Sequence, residues 1–267
     1  MDLQNICKQI GELAQKAGQF IREERSKITN EDIELKGKAS LVTYVDKTAE
    51  RLIVDELRRL LPEAGYITEE GTAGERGEKY KWVIDPLDGT TNFIHGIFPH
   101  SVSIGLLEDN HPVAGVVYEV GQDELFSAWQ GGGAWLNGRP ISVSASAKHE
   151  EVLLATGFPY YDFDMLQNYL RLLEFFMIET RGMRRMGSAA VDLAYVACGR
   201  FDGFFEHALH PWDVAAGIII LQEAGGRLSD FKGGDNYLFG NEIVAANANY
   251  FDKFYSIVNK HLGKINP

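Results

Sequence analysis

One stretch of the chain, WVIDPLDGTTNF at positions 82–93, constrains what the protein can fold into more than any other part. It opens with three apolar residues, a run typical of a buried strand. We expect the strand to end at Asp85, because Pro86 fixes its own φ and has no amide hydrogen to continue a ladder. A turn at that point would bring the carboxylates of Asp85 and Asp88 together just beyond the strand.

The second part of this stretch has the features of an anion site. Gly89 lets the backbone approach a ligand closely, and Thr90-Thr91 can open a short helix whose free amide groups favour an anion. Two carboxylates for a hard cation beside a place for phosphate indicate metal-assisted phosphoryl transfer. The alternative is an acidic surface turn with Asp88 and Thr90 as ordinary caps. A bare D-x-x-D favours that alternative, whereas the longer string, with backbone tasks for Pro, Gly and Thr, favours the metal site.

Two segments resemble the signatures of the inositol monophosphatase family, which comprises Mg²⁺-dependent, lithium-sensitive phosphomonoesterases. The first is WVIDPLDGTTNF, and the second is WDVAAGIIILQEAGG at positions 212–226. The order of features around both segments resembles the family from Leu3 to the C-terminus. The resemblance therefore covers nearly the whole chain.

The sequence pattern changes near residues 144–151. Short apolar runs separated by tight turns predict an antiparallel meander over residues 101–144. Beyond the polar stretch, short strands alternate with helices, which predicts an α/β arrangement with a mostly parallel sheet. We divide the chain into an N-terminal α+β half, residues 1–146, and a C-terminal α/β half, residues 147–267. The expected fold is a layered αβαβα sandwich.

Composition limits the classes of function. The chain has 267 residues, with 26 basic and 38 acidic residues and a net charge of −12, which argues against non-specific nucleic-acid binding. Cys7 and Cys198 have no zinc spacing, and we expect buried thiols in a reducing compartment. The sequence lacks a signal-peptide core and any apolar run of about 18 residues, so we expect a cytoplasmic protein that does not span a membrane.

Three further acids gain roles through the family resemblance. Asp46 and Asp213 each stand at the predicted start of a helix, where N-capping is the plain interpretation. The resemblance implies that Asp46 helps to orient the attacking water and that Asp213 completes the metal site. A glutamate pair on a loop is usually solvated, but Glu69 takes the place of the family's metal-bridging glutamate.

The resemblance implies two or three Mg²⁺ ions per site, with Li⁺ as an inhibitor. The lack of a Cys/His cluster in the sequence fits a hard cation rather than zinc. The implied metal ligands are Glu69, Asp85 and the Leu87 carbonyl for one ion and Asp85, Asp88 and Asp213 for the next, with Glu69 sharing a third. The implied catalytic residues are Glu69, Thr90 and Asp46, with Thr90 polarising the water.

The expected substrate is a small phosphorylated metabolite. The implied contacts to it are Asp88, Gly89, Thr90, Ala189, Glu206 and Asp213. Glu206 occupies the place of a hydroxyl-binding glutamate in inositol-hydrolysing members, which favours myo-inositol monophosphate, although a glutamate at a strand end is otherwise unremarkable. Other family substrates stay open: fructose 1,6-bisphosphate, 3′-phosphoadenosine nucleotides, histidinol phosphate and NADP.

A non-catalytic role is the competing hypothesis. Arg181, Arg184 and Arg185 cluster before the predicted helix start at Ser188. The cluster is either a solvated strand edge or an interaction surface, because bacterial members resembling this chain also act as accessory factors for transcribing RNA polymerase. The family resemblance also implies a homodimer.

Overall fold

The computed structural model describes residues 1–37, 40–74, 77–159 and 163–263. Its α-helices are α1 (Leu3–Glu24), α2 (Tyr44–Leu60), α3 (Thr90–His95), α4 (Leu166–Glu179), α5 (Ala189–Ala197), α6 (Pro211–Glu223) and α7 (Phe251–Leu262). Its strands are β1 (Ile33–Gly37), β2 (Ser40–Thr43), β3 (Gly65–Thr68), β4 (Tyr80–Asp88), β5 (Ser101–Glu108), β6 (His111–Glu119), β7 (Glu124–Trp129), β8 (Ala134–Leu136), β9 (Arg139–Ile141), β10 (Leu153–Thr156), β11 (Gly182–Arg184), β12 (Gly203–His207), β13 (Gly226–Ser229) and β14 (Glu242–Asn247).

The larger sheet has the order β3-β4-β5-β6-β7-β8-β9. Only β3 and β4 run parallel, and every other neighbouring pair is antiparallel. The predicted meander over residues 101–144 is confirmed. Strands β1 and β2 form a separate antiparallel pair.

The second sheet has the order β11-β10-β12-β14-β13. Strand β10 is parallel to both β11 and β12, whereas β14 is antiparallel to both β12 and β13. The prediction of a mostly parallel sheet was therefore wrong, and the sheet is mixed. After α6 the chain turns at Gly225-Gly226 directly into β13, which pairs antiparallel with β14 without a crossover helix.

The helices and sheets stack in five layers. Helices α1 and α2 cover one face of the larger sheet, α5 and α6 lie between the two sheets, and α4 and α7 cover the far face of the second sheet. One apolar cluster fills each of the two outer interfaces, and a third fills the central layer. The αβαβα sandwich is confirmed. The division at residue 146 stays a prediction.

The central helices are apolar on every side because both of their faces are covered. All residues of α5 are buried, and so is the run from Val214 to Leu221 in α6. A Cβ atom at Gly115 of β6 would lie 2.8 Å from the Ala216 Cα atom, so strand and helix approach to backbone contact. This close packing fixes α6, and with it Asp213, against the larger sheet.

Two further predictions concern exposure. Cys7 is buried and Cys198 is half-buried, and both are free thiols. Within the described ranges, no helix combines the length and the apolar character that a membrane span requires.

Candidate active site

The prediction that the strand ends at Asp85 was wrong, because β4 continues to Asp88. Asp85 pairs with Ser103 and Asp88 pairs with Ser101, so a step of three residues on β4 faces a step of two on β5. Residues three apart on a regular strand point to opposite faces, and the extra residue of such a bulge removes that alternation. Pro86 lies inside the irregular segment, where a missing amide hydrogen is tolerated. The bulge, rather than the predicted turn, therefore allows the side chains of Asp85 and Asp88 to point to the same side of the strand.

The parallel pairing of β3 with β4 positions Glu69. Thr68 lies opposite Ile84, so Glu69 follows beside Asp85, and its amide donates to the Ile84 carbonyl at 3.2 Å. The side chains of Glu69 and Asp85 are joined by a hydrogen bond. Glu69 therefore lies beside Asp85, and its role as a metal ligand stays a prediction.

A hydrogen bond between β5 and α6 places Asp213 near the same cluster. Ser103 is the β5 partner of Asp85, and its hydroxyl donates to the Trp212 carbonyl at 3.4 Å. Asp213 follows Trp212 directly, and its charge acts on Asp85. The structure thus brings together acids from the ends of β3 and β4 and from the first turn of α6.

Asp46 and Asp213 are not N-caps, contrary to prediction. Thr43 caps α2 and His210 caps α6, and each aspartate stands three residues later, where its carboxylate accepts from the backbone amide of the capping residue. The distances are 2.9 Å from Thr43 N to Asp46 Oδ2 and 2.6 Å from His210 N to Asp213 Oδ2. Both helices begin with the reciprocal arrangement of a capping box. Each carboxylate is thereby held in one orientation at its helix start.

The Thr90 hydroxyl lies between two acceptors. It is 3.0 Å from Asp46 Oδ1 and 3.0 Å from the Leu87 carbonyl oxygen. Asp46 is buried, and its other carboxylate oxygen accepts from the Thr43 hydroxyl at 2.7 Å. Burial raises the pKa of Asp46, and the hydrogen bonds from Thr43 and Thr90 oppose that shift.

Asp88, on β4, is hydrogen-bonded to the start of α5. Its Oδ2 atom accepts from the Ser188 hydroxyl at 2.6 Å and from the Ala190 amide at 2.9 Å. Ser188 is the N-cap of α5, as predicted, and Ala189 is the first residue of that helix. The contact with Asp88 was not predicted, because the sequence shows the cap but not what the cap faces.

Only glycine fits at position 89, because of its backbone conformation and its close neighbours. Its φ is +88°, and a Cβ atom would lie 3.0 Å from the Pro99 carbonyl oxygen and 3.1 Å from that of Gly187. Both the left-handed backbone and the surrounding carbonyl groups exclude a side chain. Helix α3 begins at Thr90, as predicted.

Burial, reinforced by mutual repulsion at Asp85 and Asp213, raises the pKa values of the acidic cluster. Burial, followed by the charges of Glu69, Asp88 and Asp213, raises the pKa of Asp85 well above its usual value. Burial and then the charge of Asp88 do the same for Asp213. Burial raises the pKa of Asp88 to about 6, although the Ser188 hydroxyl and α5 amides oppose the shift. Such a cluster is stabilised by a shared proton or a bound cation.

Glu206 lies on β12, and its charge interacts with that of Asp88. A Cβ atom at Gly157 would collide with its carboxylate, so the backbone of residue 157 lies directly against that carboxylate. Burial raises the pKa of Glu206 to about 8, with Arg185 opposing the shift and Asp88 adding to it. Arg185 was predicted as part of a solvated edge or an interaction surface, but its charge also acts on the site.

Asp192 is an acid that the sequence reasoning missed. It is buried in α5, and its Oδ1 atom has no hydrogen-bond partner within the described part of the chain. Burial raises the pKa of Asp192 well above its usual value, and Glu206 and Asp88 add to the shift. The signal was present in the sequence, since AAVDLAYVA carries a single charge in an otherwise apolar helix.

The donor set of the cluster suits a hard cation. Carboxylates and the Leu87 carbonyl offer only oxygen, which Mg²⁺ prefers. A cation would also relieve the repulsion that adds to the raised pKa values of Asp85 and Asp213. Among the described residues, no three His, Cys, Asp or Glu side chains are arranged so that they could hold one metal ion. Oxygen atoms of Asp88 and Asp213 instead accept hydrogen bonds from protein groups.

The fold and the site define a class of layered α/β proteins with an acidic centre at the strand ends. Within that class, the chain belongs to the inositol monophosphatase family, whose family model matches residues 2–262.

Individual relatives cover most of the chain. An inositol-1-monophosphatase of Mesorhizobium japonicum is 42% identical over 88% of each protein. The Nus factor SuhB of Escherichia coli is 43% identical, also over 88% of each. The crystal structure of the extragenic suppressor protein SuhB from Bartonella henselae has a TM-score of 0.91 and 39% identity, covering 97% of this chain and all of that one.

Proposed function

We propose that this protein is a Mg²⁺-dependent phosphomonoesterase that acts on a small sugar or polyol phosphate. The observation that carries the proposal is the convergence of Glu69, Asp85, Asp88 and Asp213 from three separate segments, where burial and the neighbouring charges together raise the pKa of Asp85. Membership of the inositol monophosphatase family supports it. We take myo-inositol monophosphate as the first substrate to test.

Each acid has a part in the proposed site. Glu69, Asp85, the Leu87 carbonyl, Asp88 and Asp213 would hold two or three Mg²⁺ ions. Bound Mg²⁺ supplies a Lewis acid for the phosphoryl oxygens. The backbone around Gly89 and the first amide of α3 would receive the phosphate, since their N–H groups are free of helical partners.

Thr90 would orient the attacking water. Its single hydroxyl proton is directed to Asp46 or to the Leu87 carbonyl, each at 3.0 Å. The lone pairs of the hydroxyl oxygen are then available to accept a hydrogen bond from water, which makes that water a better nucleophile. The rigid capping interaction of Asp46 keeps the hydroxyl in this orientation before substrate arrives. No covalent bond to the protein is required.

The activity is tested by phosphate release from myo-inositol 1-phosphate with Mg²⁺ and with EDTA. We expect Mg²⁺-dependent turnover in the wild type and a loss of about three orders of magnitude or more in Asp85→Asn. Circular dichroism should report the same fold for both proteins. Near-normal turnover by Asp85→Asn would overturn the assignment of the site.

The substrate class rests on Glu206. Its carboxyl lies against Gly157 and close enough to Asp88 for their charges to interact. A carboxyl in that position would bind ring hydroxyls of a polyol. Fructose 1,6-bisphosphate, 3′-phosphoadenosine 5′-phosphate, histidinol phosphate and NADP serve as competing substrates, and the highest kcat/KM identifies the class.

A second function is favoured by the similarity to a Nus factor. Strand β11 is an edge strand of its sheet, and Arg181 and Arg184 are exposed there. We propose that this edge binds a protein of the transcription complex, independently of catalysis. A pull-down of transcription-elongation proteins should succeed with Asp85→Asn and fail with the double variant Arg181→Glu/Arg184→Glu. Light scattering on both variants tests the proposed homodimer and shows whether the edge also serves self-association.

A further inference from the structure

A second buried acid lies on the same face of α2 as Asp46. Glu50 is one helical turn beyond Asp46, and both side chains are fully buried. Asp46 points to Thr90, whereas Glu50 accepts hydrogen bonds from the loop that follows β3. Charged residues are rarely buried without a compensating partner, so the contacts of Glu50 need an explanation.

Three donors from a short loop converge on Glu50. Its Oε2 atom accepts from the Glu70 amide at 2.8 Å. Its Oε1 atom accepts from the Thr72 amide at 2.8 Å and from the Thr72 hydroxyl at 2.7 Å. Surface loops commonly leave such donors to water, but here they turn inward to a single carboxylate. Charge-assisted bonds of this kind are stronger than bonds between neutral groups.

These bonds fix the backbone on both sides of Glu69. The Glu69 amide donates to Ile84 of β4 at 3.2 Å, and the next amide, that of Glu70, donates to Glu50. Glu69 is therefore held between the larger sheet and α2. The bond from the Glu70 amide to Glu50 is what ties down the chain directly after Glu69. Beyond it the chain turns at Gly71, which has a φ of +67°.

We propose that Glu50 is a positioning residue that holds Glu69 in place for cation binding. This inference rests on the proposed function, since it assigns Glu50 to the support of the same site. Removing a group that hydrogen-bonds to a metal ligand and orients it typically weakens metal binding by about 10- to 100-fold. Helix α2 would then serve the site twice, through Asp46 at its first turn and through Glu50 one turn later.

The test measures Mg²⁺ binding directly, by isothermal titration calorimetry without substrate. Glu50→Gln replaces one acceptor oxygen with a donor, and we expect Mg²⁺ to bind about 10- to 100-fold more weakly. Thr72→Val removes only the hydroxyl and should weaken binding by about two- to tenfold. Thr72→Ser keeps the hydroxyl and should bind as the wild type does. At saturating Mg²⁺, kcat should recover in both of the weakened variants.

Glu223 provides a matched control. It accepts from the amides of Gly131 and Gly133, each at 2.9 Å, and so holds another loop in the same way. It lies ten residues beyond Asp213, roughly 15 Å along α6. Glu223→Gln should lower the melting temperature in EDTA without changing the dissociation constant of Mg²⁺.

The outcomes separate the inference from the proposed function. If the wild type binds Mg²⁺ and both Glu50→Gln and Thr72→Val bind it equally well, Glu50 has only a structural role and the inference is wrong. If the wild type binds no divalent cation, the proposed function fails and the inference fails with it. Should Glu50→Gln not fold, the comparison of Thr72→Val with Thr72→Ser decides.

Discussion

The Thr90 hydroxyl lies 3.0 Å from the Asp46 carboxylate and joins the start of α3 to the start of α2. The two residues are 44 positions apart in the chain. Asp46 is oriented by the backbone and the hydroxyl of Thr43, so the carboxylate has little freedom to leave Thr90. The position of the Thr90 oxygen is thus set by a helix start rather than by a mobile loop.

Removing this hydroxyl should affect turnover more than binding. We expect Thr90→Val to lower kcat for inositol phosphate by about a hundredfold or more, because the attacking water loses its oriented partner. The KM and the Mg²⁺ dependence should change little. Thr90→Ser keeps the hydroxyl and should retain most of the activity. A Val variant with nearly normal kcat would remove Thr90 from the mechanism.

The contact between Ser188 and Asp88 predicts a different effect. The Ser188 hydroxyl donates to Asp88 at 2.6 Å and links α5 to the bulge of β4. Ser188→Ala leaves one bond to this buried carboxylate unmade, which costs about 1.5–3 kcal/mol for a charged acceptor. We expect a lower melting temperature together with weaker Mg²⁺ binding, measured by calorimetry. Ser188→Thr, which keeps the hydroxyl, is the control, and equal loss in both variants would argue against the hydrogen bond as the cause.

Glu206 should govern which substrate is used. Glu206→Gln is expected to lower kcat/KM for inositol phosphate by about 10- to 100-fold, since a hydroxyl-binding carboxylate contributes roughly 1.5–3 kcal/mol. Hydrolysis of 4-nitrophenyl phosphate, which offers no ring hydroxyls, should be nearly unaffected. Parallel losses on both substrates would show that Glu206 supports the site as a whole and does not select polyols.

Local sequence signals were sufficient for part of the site. The buried strand over residues 82–84, the helix at Thr90 and the Ser188 cap all follow from short patterns, and the structure contains them. The roles of Asp46 and Asp213 came from the family resemblance. Their helical positions were misplaced by three residues, although T-Y-V-D at the start of α2 is a readable capping box.

The remaining features depend on contacts between distant segments. The bulge between Asp85 and Asp88 is defined by pairing with β5, and no local pattern specifies that register. The mixed second sheet depends on which strand β14 pairs with. Asp192 was detectable only as a charge among apolar neighbours. Glu50 stands among charged and polar residues of α2 and gave no signal, and the partners of both acids could not be read from the sequence.

His100 gives a prediction for stability as a function of pH. It is 1% exposed, with its ring beside Phe93 and stacked on Phe98. Burial, together with the charges of Arg25 and Arg22 at the C-terminal end of α1, lowers the pKa of His100 from 6.5 to about 4. Between these two values, the unfolded chain binds a proton that the folded chain does not bind. The free energy of unfolding should therefore fall as the pH drops from about 6.5 to 4, by about 3 kcal/mol.

The measurement is urea unfolding at a series of pH values for the wild type and His100→Gln. Other groups also titrate as the pH falls, among them Glu119, whose pKa is raised by burial and whose carboxylate accepts from the His100 amide. Only the difference in slope between the two proteins therefore reports on the imidazole. The substitution lowers stability at every pH by loss of packing, but it should flatten the decline between pH 6.5 and 4. Parallel curves would mean that His100 takes up its proton in the folded protein, and hence that its ring is reached by water at low pH.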